Sequence, residues 1–147
     1  MKKLLVVCMG NICRSPTGEA VLKAKAEELG VEVKVDSAGT IGFHAGNPPD
    51  VRSMQAGEQR GYSFKGIRSR QVTVEDFERF DMVLAADRAN QADLLDICPV
   101  EHRHKVSLFL SHADLDYDEI PDPYYGGGVG FEPVSYTHLT LPTINWV

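Results

Sequence analysis

Four short segments of the chain carry the hydrophobic patterns of β-strands. Leu4–Cys8 and Asp81–Ala86 contain apolar runs rich in β-forming residues, which are typical of buried strands, and Val106–Leu110 has a similar character. Between residues 31 and 36, three valines alternate with charged side chains. This period of two predicts a strand with one face in the core and the other in water.

Helical segments separate these strands. Ser15 and Pro16 are residue types that favour the start of a helix, with Ser15 as its cap, and Gly30 is typical of a helix end. Helices are predicted over residues 15–29, 50–60, 73–80 and 90–97, and loops over residues 37–49 and 111–130. The alternation of strand and helix predicts an α/β protein with a small parallel sheet, in which ligands bind beyond the carboxyl ends of the strands.

The composition fits one domain that folds without disulfide bonds. The chain has 147 residues, of which 43% are hydrophobic, and no window approaches 18 consecutive apolar residues. Fifteen Lys and Arg against 21 Asp and Glu give a net charge of −6, which argues against nucleic acid or a membrane as the main partner. Three cysteines do not make a secreted disulfide scaffold. We therefore expect a cytoplasmic protein. We also expect it to be a monomer.

The segment between the first strand and the first helix has the composition of a phosphate-binding loop. It consists of Cys8, five residues, Arg14 and Ser15. Five residues can curl so that their backbone N–H groups face one oxyanion, and Gly and Asn tolerate the left-handed dihedral angles that such a curl needs. The five are Met9, Gly10, Asn11, Ile12 and Cys13. The following helix directs its positive end at the same point, and Arg14 offers a planar fork that matches two phosphate oxygens.

Cys8 lies at the floor of this loop and is the candidate nucleophile. Helix N-termini and nearby cations stabilise a thiolate, and a thiolate that faces a phosphoryl group can accept it covalently. The alternative is a buried structural cysteine beside a solvated arginine, which a bare Cys–Arg spacing would favour. Gly, Asn, Ser and Pro at the positions that a phosphate loop needs favour the catalytic interpretation. A nucleotide-binding loop is disfavoured because no Gly-Lys-Ser/Thr follows.

Several separated motifs resemble those of one enzyme family. They cover about residues 3–133 in the family's order, and are Val7–Pro16, Asp36–Thr40, Gly46–Asp50, Ser69–Gln71, Asp76–Phe77 and Asp122–Gly126. In these motifs the chain closely resembles the low-molecular-weight protein tyrosine phosphatases of bacterial type. The resemblance implies a four-stranded parallel sheet flanked by helices, with no metal and no organic cofactor.

The resemblance also assigns catalytic roles. It makes Cys8 the nucleophile and Arg14 the phosphate clamp. It makes Asp122 the general acid that protonates the leaving tyrosine oxygen and then the base that activates water. Ser15 would donate a hydrogen bond to the thiolate.

Further residues would shape the site around the loop. Phe43 and Tyr124 would line a slot for a flat aromatic ring, deep enough to exclude phosphoserine. His44 would lie at the rim of this slot, and Tyr125 is a further candidate for binding the substrate. Asn11 and Ser37 would hold the loop in shape. Without the resemblance, Asp122–Tyr125 has the composition of an ordinary turn, and residues 43 and 44 that of an exposed loop.

Two features bear on how the loop is protected and supported. The resemblance implies a reversible disulfide between Cys8 and Cys13 that protects the nucleophile from overoxidation. Many relatives carry a histidine shortly before the Arg70–Gln71 pair, whereas residues 65–69 of this chain contain none. The loop is therefore expected to be less rigid or to be supported by other contacts.

The resemblance implies phosphotyrosine proteins as substrates and partners, among them an autophosphorylated tyrosine kinase. Three other functions use the same fold. Arsenate reduction needs a relay of two further cysteines, but only Cys98 follows the loop. Phosphoarginine phosphatases tend to have a smaller polar residue where Ile12 stands. A phosphotyrosine-binding pseudophosphatase is disfavoured because Cys8, Arg14 and Asp122 are all retained.

Residues 134–147 form an atypical tail. They contain no Asp, Glu, Lys or Arg, although 24% of the chain is charged. Pro142 and many β-branched residues oppose a helix there, whereas the resemblance implies a long final helix. We expect the tail to be foreign to the domain of residues 1–133 and the chain to be less stable than one with a family-like helix. The alternative is a native tail that packs as an extended segment.

Overall fold

The computed structural model describes residues 2–11, 14–42, 45–59, 61–112 and 119. In chain order its strands and α-helices are β1 Lys2–Cys8, α1 Arg14–Leu29, β2 Val33–Gly39, α2 Val51–Gln59, α3 Val74–Arg79, β3 Met82–Ala85, α4 Arg88–Ile97 and β4 Val106–Leu108. Two 3-10 helices, Val100–Lys105 and Phe109–His112, flank β4. None of the helices in this part of the chain has the length and apolar character needed to cross a membrane.

The four strands form one parallel sheet in the order β2-β1-β3-β4, which confirms the predicted fold class. β1 lies inside the sheet, and its residues from Leu4 to Cys8 are buried because helices cover both faces. On one face, Leu22 of α1 packs against β1, β2 and β3. On the other face, Phe77 of α3 and Leu94 of α4 pack against the strands. The carboxyl ends of β1 and β3 consequently lie side by side, and this edge carries the site.

Some predicted boundaries are wrong. β2 continues through Ser37 to Gly39, inside the predicted loop, because these residues pair with the end of β1 through backbone hydrogen bonds that a side-chain pattern does not report. α1 begins at Arg14, so Ser15 lies within its first turn and does not cap it. β4 ends at Leu108, two residues early, where a 3-10 helix begins. The predicted loop beyond residue 112, except Glu119, and the 134–147 tail lie outside the described residues.

Candidate active site

Cys8 ends β1 and points its sulfur at hydrogen-bond donors. Its Sγ accepts a hydrogen bond from Asn11 N at 3.3 Å and lies 3.1 Å from Ser15 Oγ. The residue is only 4% exposed, yet it lies at the amino end of α1, where backbone N–H groups have no partners within the helix. Donors and a positive helix end together stabilise a negative sulfur.

Asn11 determines the shape of the loop. Its φ of 56° is left-handed, a conformation that asparagine tolerates better than most residues. Its buried amide donates from Nδ2 to Ser15 Oγ at 2.8 Å and accepts at Oδ1 from Arg70 N at 2.9 Å. Since Ser15 Oγ accepts from Asn11, its own proton is left for Cys8 Sγ or for Ala38 O at 3.4 Å.

Arg14 is buried, with 3% exposure, and is oriented from the neighbouring strand. Its Nη1 donates to Asp87 Oδ2 at 2.7 Å and its Nη2 to Asn90 Oδ1 at 3.4 Å. Asp87 follows β3 and caps α4, where its Oδ1 accepts from Asn90 N at 2.8 Å. Asp87 therefore caps α4 and also fixes the orientation of the Arg14 guanidinium. A guanidinium that binds phosphate through two hydrogen bonds needs a fixed orientation of this kind.

The end of β2 supports the loop through its backbone. Thr40 N donates to Cys8 O at 2.9 Å, and Ile41 N donates to Met9 O at 3.1 Å. Gly39 is needed at this contact, because a Cβ there would lie 2.7 Å from Met9 O. Ser69 Oγ donates to Gly10 O, in the same loop, at 3.0 Å.

Ser37 contacts the helix that follows the loop. It lies on β2, and its hydroxyl donates to Glu19 Oε1 at 2.6 Å. Glu19 is buried in α1 and also pairs with Lys23. Ser37 therefore joins β2 to the helix that follows the loop.

The other predicted site residues fall into two groups. Met9 and Gly10 lie in the described part of the loop. Outside the described residues lie Ile12, Cys13, Phe43, His44, Asp122, Tyr124 and Tyr125. Their proposed roles therefore remain predictions. Within the described residues, no group of three His, Cys, Asp or Glu could hold a metal ion.

Sequence reasoning gave no site role to four residues that act from a distance along the chain, although Ser69 and Arg70 lie in one of the motifs of the resemblance. Asp87 and Asn90 hold Arg14, while Ser69 and Arg70 hold the loop. Asp87 could have been found, because it directly follows a predicted strand at the carboxyl edge and has a residue type that caps helices. Ser69 and Arg70 lie in an irregular segment that has no periodic signal.

The fold and this site define an α/β protein in which a buried cysteine and a buried arginine flank the loop between β1 and α1. Residues 3–138 match the sequence model of the family described as low molecular weight phosphotyrosine protein phosphatase. The chain belongs to this family and is a phosphatase of it.

Individual relatives agree with this assignment. A Synechocystis relative is 44% identical over 136 residues, which cover 90% of this chain and 86% of that protein. The low molecular weight protein-tyrosine-phosphatase YfkJ of Bacillus subtilis is 39% identical over 137 residues, 91% of this chain and 86% of its own. A crystal structure of a protein tyrosine phosphatase from Entamoeba histolytica, with Hepes in its active site, has a TM-score of 0.91 and 40% identity. That match covers 96% of this chain and 92% of the other.

Proposed function

We propose that the protein hydrolyses phosphotyrosine in proteins through a covalent phosphocysteine. The supporting observation is the position of Cys8 Sγ, which accepts from Asn11 N and lies beside Ser15 Oγ in the loop that Arg14 closes. The tyrosine phosphatase names of the relatives support the substrate class.

Two displacements at phosphorus account for the reaction. In the first, the Cys8 thiolate forms the S–P bond while the bond from phosphorus to the tyrosine oxygen breaks, and Asp122 donates a proton to that oxygen. In the second, Asp122 takes a proton from water, the water oxygen bonds to phosphorus, and the S–P bond breaks. Inorganic phosphate leaves, and the thiolate and the protonated acid are restored. Arg14 and the loop N–H groups stabilise the charge on the phosphoryl oxygens in both steps.

Hydrolysis of p-nitrophenyl phosphate tests the nucleophile. Cys8→Ser is expected to abolish turnover and to keep vanadate binding, because Arg14 and the loop remain. Cys98→Ala, the matched control, is expected to retain turnover. A phosphoenzyme trapped by acid quenching should carry its phosphate on the Cys8 peptide. A Cys8→Ser variant that turned over at the wild-type rate would exclude the mechanism.

The leaving group tests the acid. Asp122→Asn is expected to slow hydrolysis about 10²- to 10⁴-fold for poor leaving groups and much less for aryl phosphates with acidic phenols. A loss that does not depend on leaving-group acidity would remove Asp122 from this role.

The cellular setting follows from the same chemistry. A thiolate nucleophile needs a reducing compartment, which supports a cytoplasmic location, and the proposed disulfide between Cys8 and Cys13 would make its oxidation reversible. We propose phosphotyrosine proteins as partners, among them an autophosphorylated tyrosine kinase, and a monomeric enzyme.

A further inference from the structure

A short segment between α2 and α3 contacts two consecutive residues of the phosphate loop. Ser69 Oγ donates to Gly10 O at 3.0 Å, and Arg70 N donates to Asn11 Oδ1 at 2.9 Å. The same segment is tied to the end of β2, where Gly39 N donates to Arg70 O at 2.8 Å. The segment therefore links β2 to the loop.

The Arg70 side chain is held by two carboxylates on different elements. Its Nε and Nη2 lie 3.2 and 3.0 Å from Asp36 Oδ2 on β2. Its Nη1 and Nη2 donate to the two oxygens of Asp76 on α3, at 2.9 and 3.1 Å. Asp76 is almost fully buried and also accepts from Thr73 N at 2.8 Å. We call Asp36, Arg70 and Asp76 the Arg70 clamp.

The charges in the clamp reinforce one another. Burial lowers the pKa of Arg70, but the hydrogen bond to Asp76 and the charges of Asp36 and Asp76 outweigh burial, so the pKa is raised. The guanidinium is therefore cationic at every pH at which the fold survives, and its bidentate geometry fixes the backbone of residue 70.

A directed series of hydrogen bonds leads from this backbone to the nucleophile. Arg70 N can only donate, so the oxygen of the Asn11 amide must face it. The amide nitrogen then faces Ser15 Oγ at 2.8 Å and donates to it. The hydroxyl proton of Ser15 is consequently free to point at Cys8 Sγ, 3.1 Å away. A reversed amide would place its NH₂ against Arg70 N–H and lose that bond. Its oxygen would then face Ser15 Oγ, and the Ser15 proton would go to this oxygen instead of Cys8 Sγ.

We propose that Arg70 is a positioning residue for the nucleophile, because the clamp fixes the N–H that orients Asn11 and thereby aims the Ser15 hydroxyl at Cys8. This inference rests on the proposed function only in taking Cys8 as the nucleophile. No histidine occurs in residues 65–69, and the described support from this region comes from Ser69 and Arg70.

Replacing Arg70 by methionine keeps the length of the apolar stem and removes the fork. Arg70→Met is expected to lower kcat about tenfold and to slow carboxymethylation of Cys8 at pH 7 by a similar factor, the usual effect of losing a hydrogen bond that supports a charged group. Arg70→Lys should fall between this variant and the wild type. Arg103→Met is the matched control. It removes an exposed arginine that donates to Leu95 O at 3.3 Å, and both rates should stay within about twofold of the wild type.

A double-mutant cycle separates positioning from a general structural role. If Arg70 acts through Asn11, then Arg70→Met should cost less than about twofold in an Asn11→Ala background. Equal losses in the two backgrounds would overturn the proposal, since Arg70 would then only hold β2 against α3. Unchanged kcat and carboxymethylation in a folded Arg70→Met protein would also overturn it.

A second variant decides the question if Arg70→Met does not fold. Asp36 is 41% exposed, and Asp36→Asn keeps the pair of Arg70 with buried Asp76. The kcat and the rate of Cys8 carboxymethylation should each fall about threefold, with Tm nearly unchanged. The effect is small because only the contact of Arg70 with Asp36 is weakened and the contact with Asp76 remains. Wild-type rates in folded Asp36→Asn would contradict the proposal. Carboxymethylation needs no turnover, so these readings stay valid even if no phosphoenzyme forms and the proposed function fails.

Discussion

Cys8 and Cys98 are two buried thiols at opposite ends of helices. Their exposed fractions are similar, 4% and 7%, and they pack on opposite faces of the sheet. Cys8 precedes the amino end of α1 and receives hydrogen-bond donors. Cys98 caps the carboxyl end of α4, and its own Sγ–H donates to Pro99 O at 3.4 Å. One sulfur is placed to be an acceptor and the other to be a donor.

The difference shows that burial alone does not distinguish the surroundings of the two thiols. Burial raises the pKa of Cys98. Arg103 and Lys105 oppose this effect, Glu101 adds to it, and the net direction is upward. The carbonyl end of α4 also disfavours a negative sulfur. Cys8 is buried to the same degree, but its surroundings are donors and the positive end of a helix. Donors and helix polarity therefore separate a candidate nucleophile from a structural thiol.

Alkylation of the wild-type protein should show this contrast most strongly. At pH 7 we expect iodoacetate to modify Cys8 at least about 100-fold faster than Cys98, because the thiolate is the reactive form. Inorganic phosphate should protect Cys8 and leave the rate at Cys98 unchanged. Peptide mass mapping over time distinguishes the three thiols, and equal rates at Cys8 and Cys98 would refute the contrast.

The two thiols also show how far the sequence could predict the site. Cys8, Gly10, Asn11 and Arg14 are close together in the chain, so a strand, a loop and a helix with the right residue types were enough to predict that they lie together at the end of β1. The position of Asp87 after a predicted strand marks it as a site candidate, but its contact with Arg14 could not be predicted. Only the pairing of β1 with β3 brings these two residues together.

Local sequence patterns gave wrong predictions where the same residue type is common in two different structural roles. A serine before a proline is a common helix cap, but the Ser15 hydroxyl contacts Cys8 and Asn11 instead. Ser37–Gly39 has a loop composition, yet these small residues form the end of β2, where close backbone approach to the loop is required. The fold class was predictable because it depends on the order of the elements, not on such boundaries.

Gly39→Ala should disturb one thiol and not the other. A methyl group would lie 2.7 Å from Met9 O and 3.1 Å from Gly10 C, both backbone atoms, so the loop that follows Cys8 must shift. We expect kcat to fall about 10- to 100-fold, the usual cost of a displacement near 1 Å in a catalytic site. Alkylation of Cys98 is the internal control and should not change. Wild-type kcat in this variant would mean that the loop tolerates displacement.

Ser15→Ala should have a smaller effect, on the charge of Cys8 and on the Asn11 amide, which loses its acceptor. It removes the hydroxyl 3.1 Å from Cys8 Sγ but leaves the Asn11 N–H in place. Kcat and Cys8 alkylation should each fall about tenfold, as expected for one hydrogen bond to a charged group, with Cys98 again unchanged. An unchanged rate at Cys8 would show that the backbone donor alone stabilises the sulfur.

The smallest expected effect concerns Cys98 and alkaline pH. Because the pKa of the folded Cys98 thiol is raised, the unfolded chain loses this proton first as pH rises. Its contribution to stability is therefore fully present below the ordinary thiol pKa of about 8.5 and is lost as pH rises through the folded pKa.

Urea unfolding at pH 7 and pH 9.5 measures this loss in the wild type and in Cys98→Ala. The variant should lose less free energy of unfolding between the two pH values, whatever its stability at pH 7. Its kcat should match the wild type, since Cys98 lies on the face of the sheet opposite Cys8. An equal alkaline loss in both proteins would mean that the Cys98 thiol titrates alike in the folded and unfolded chains, and the contrast with Cys8 would then rest on reactivity alone.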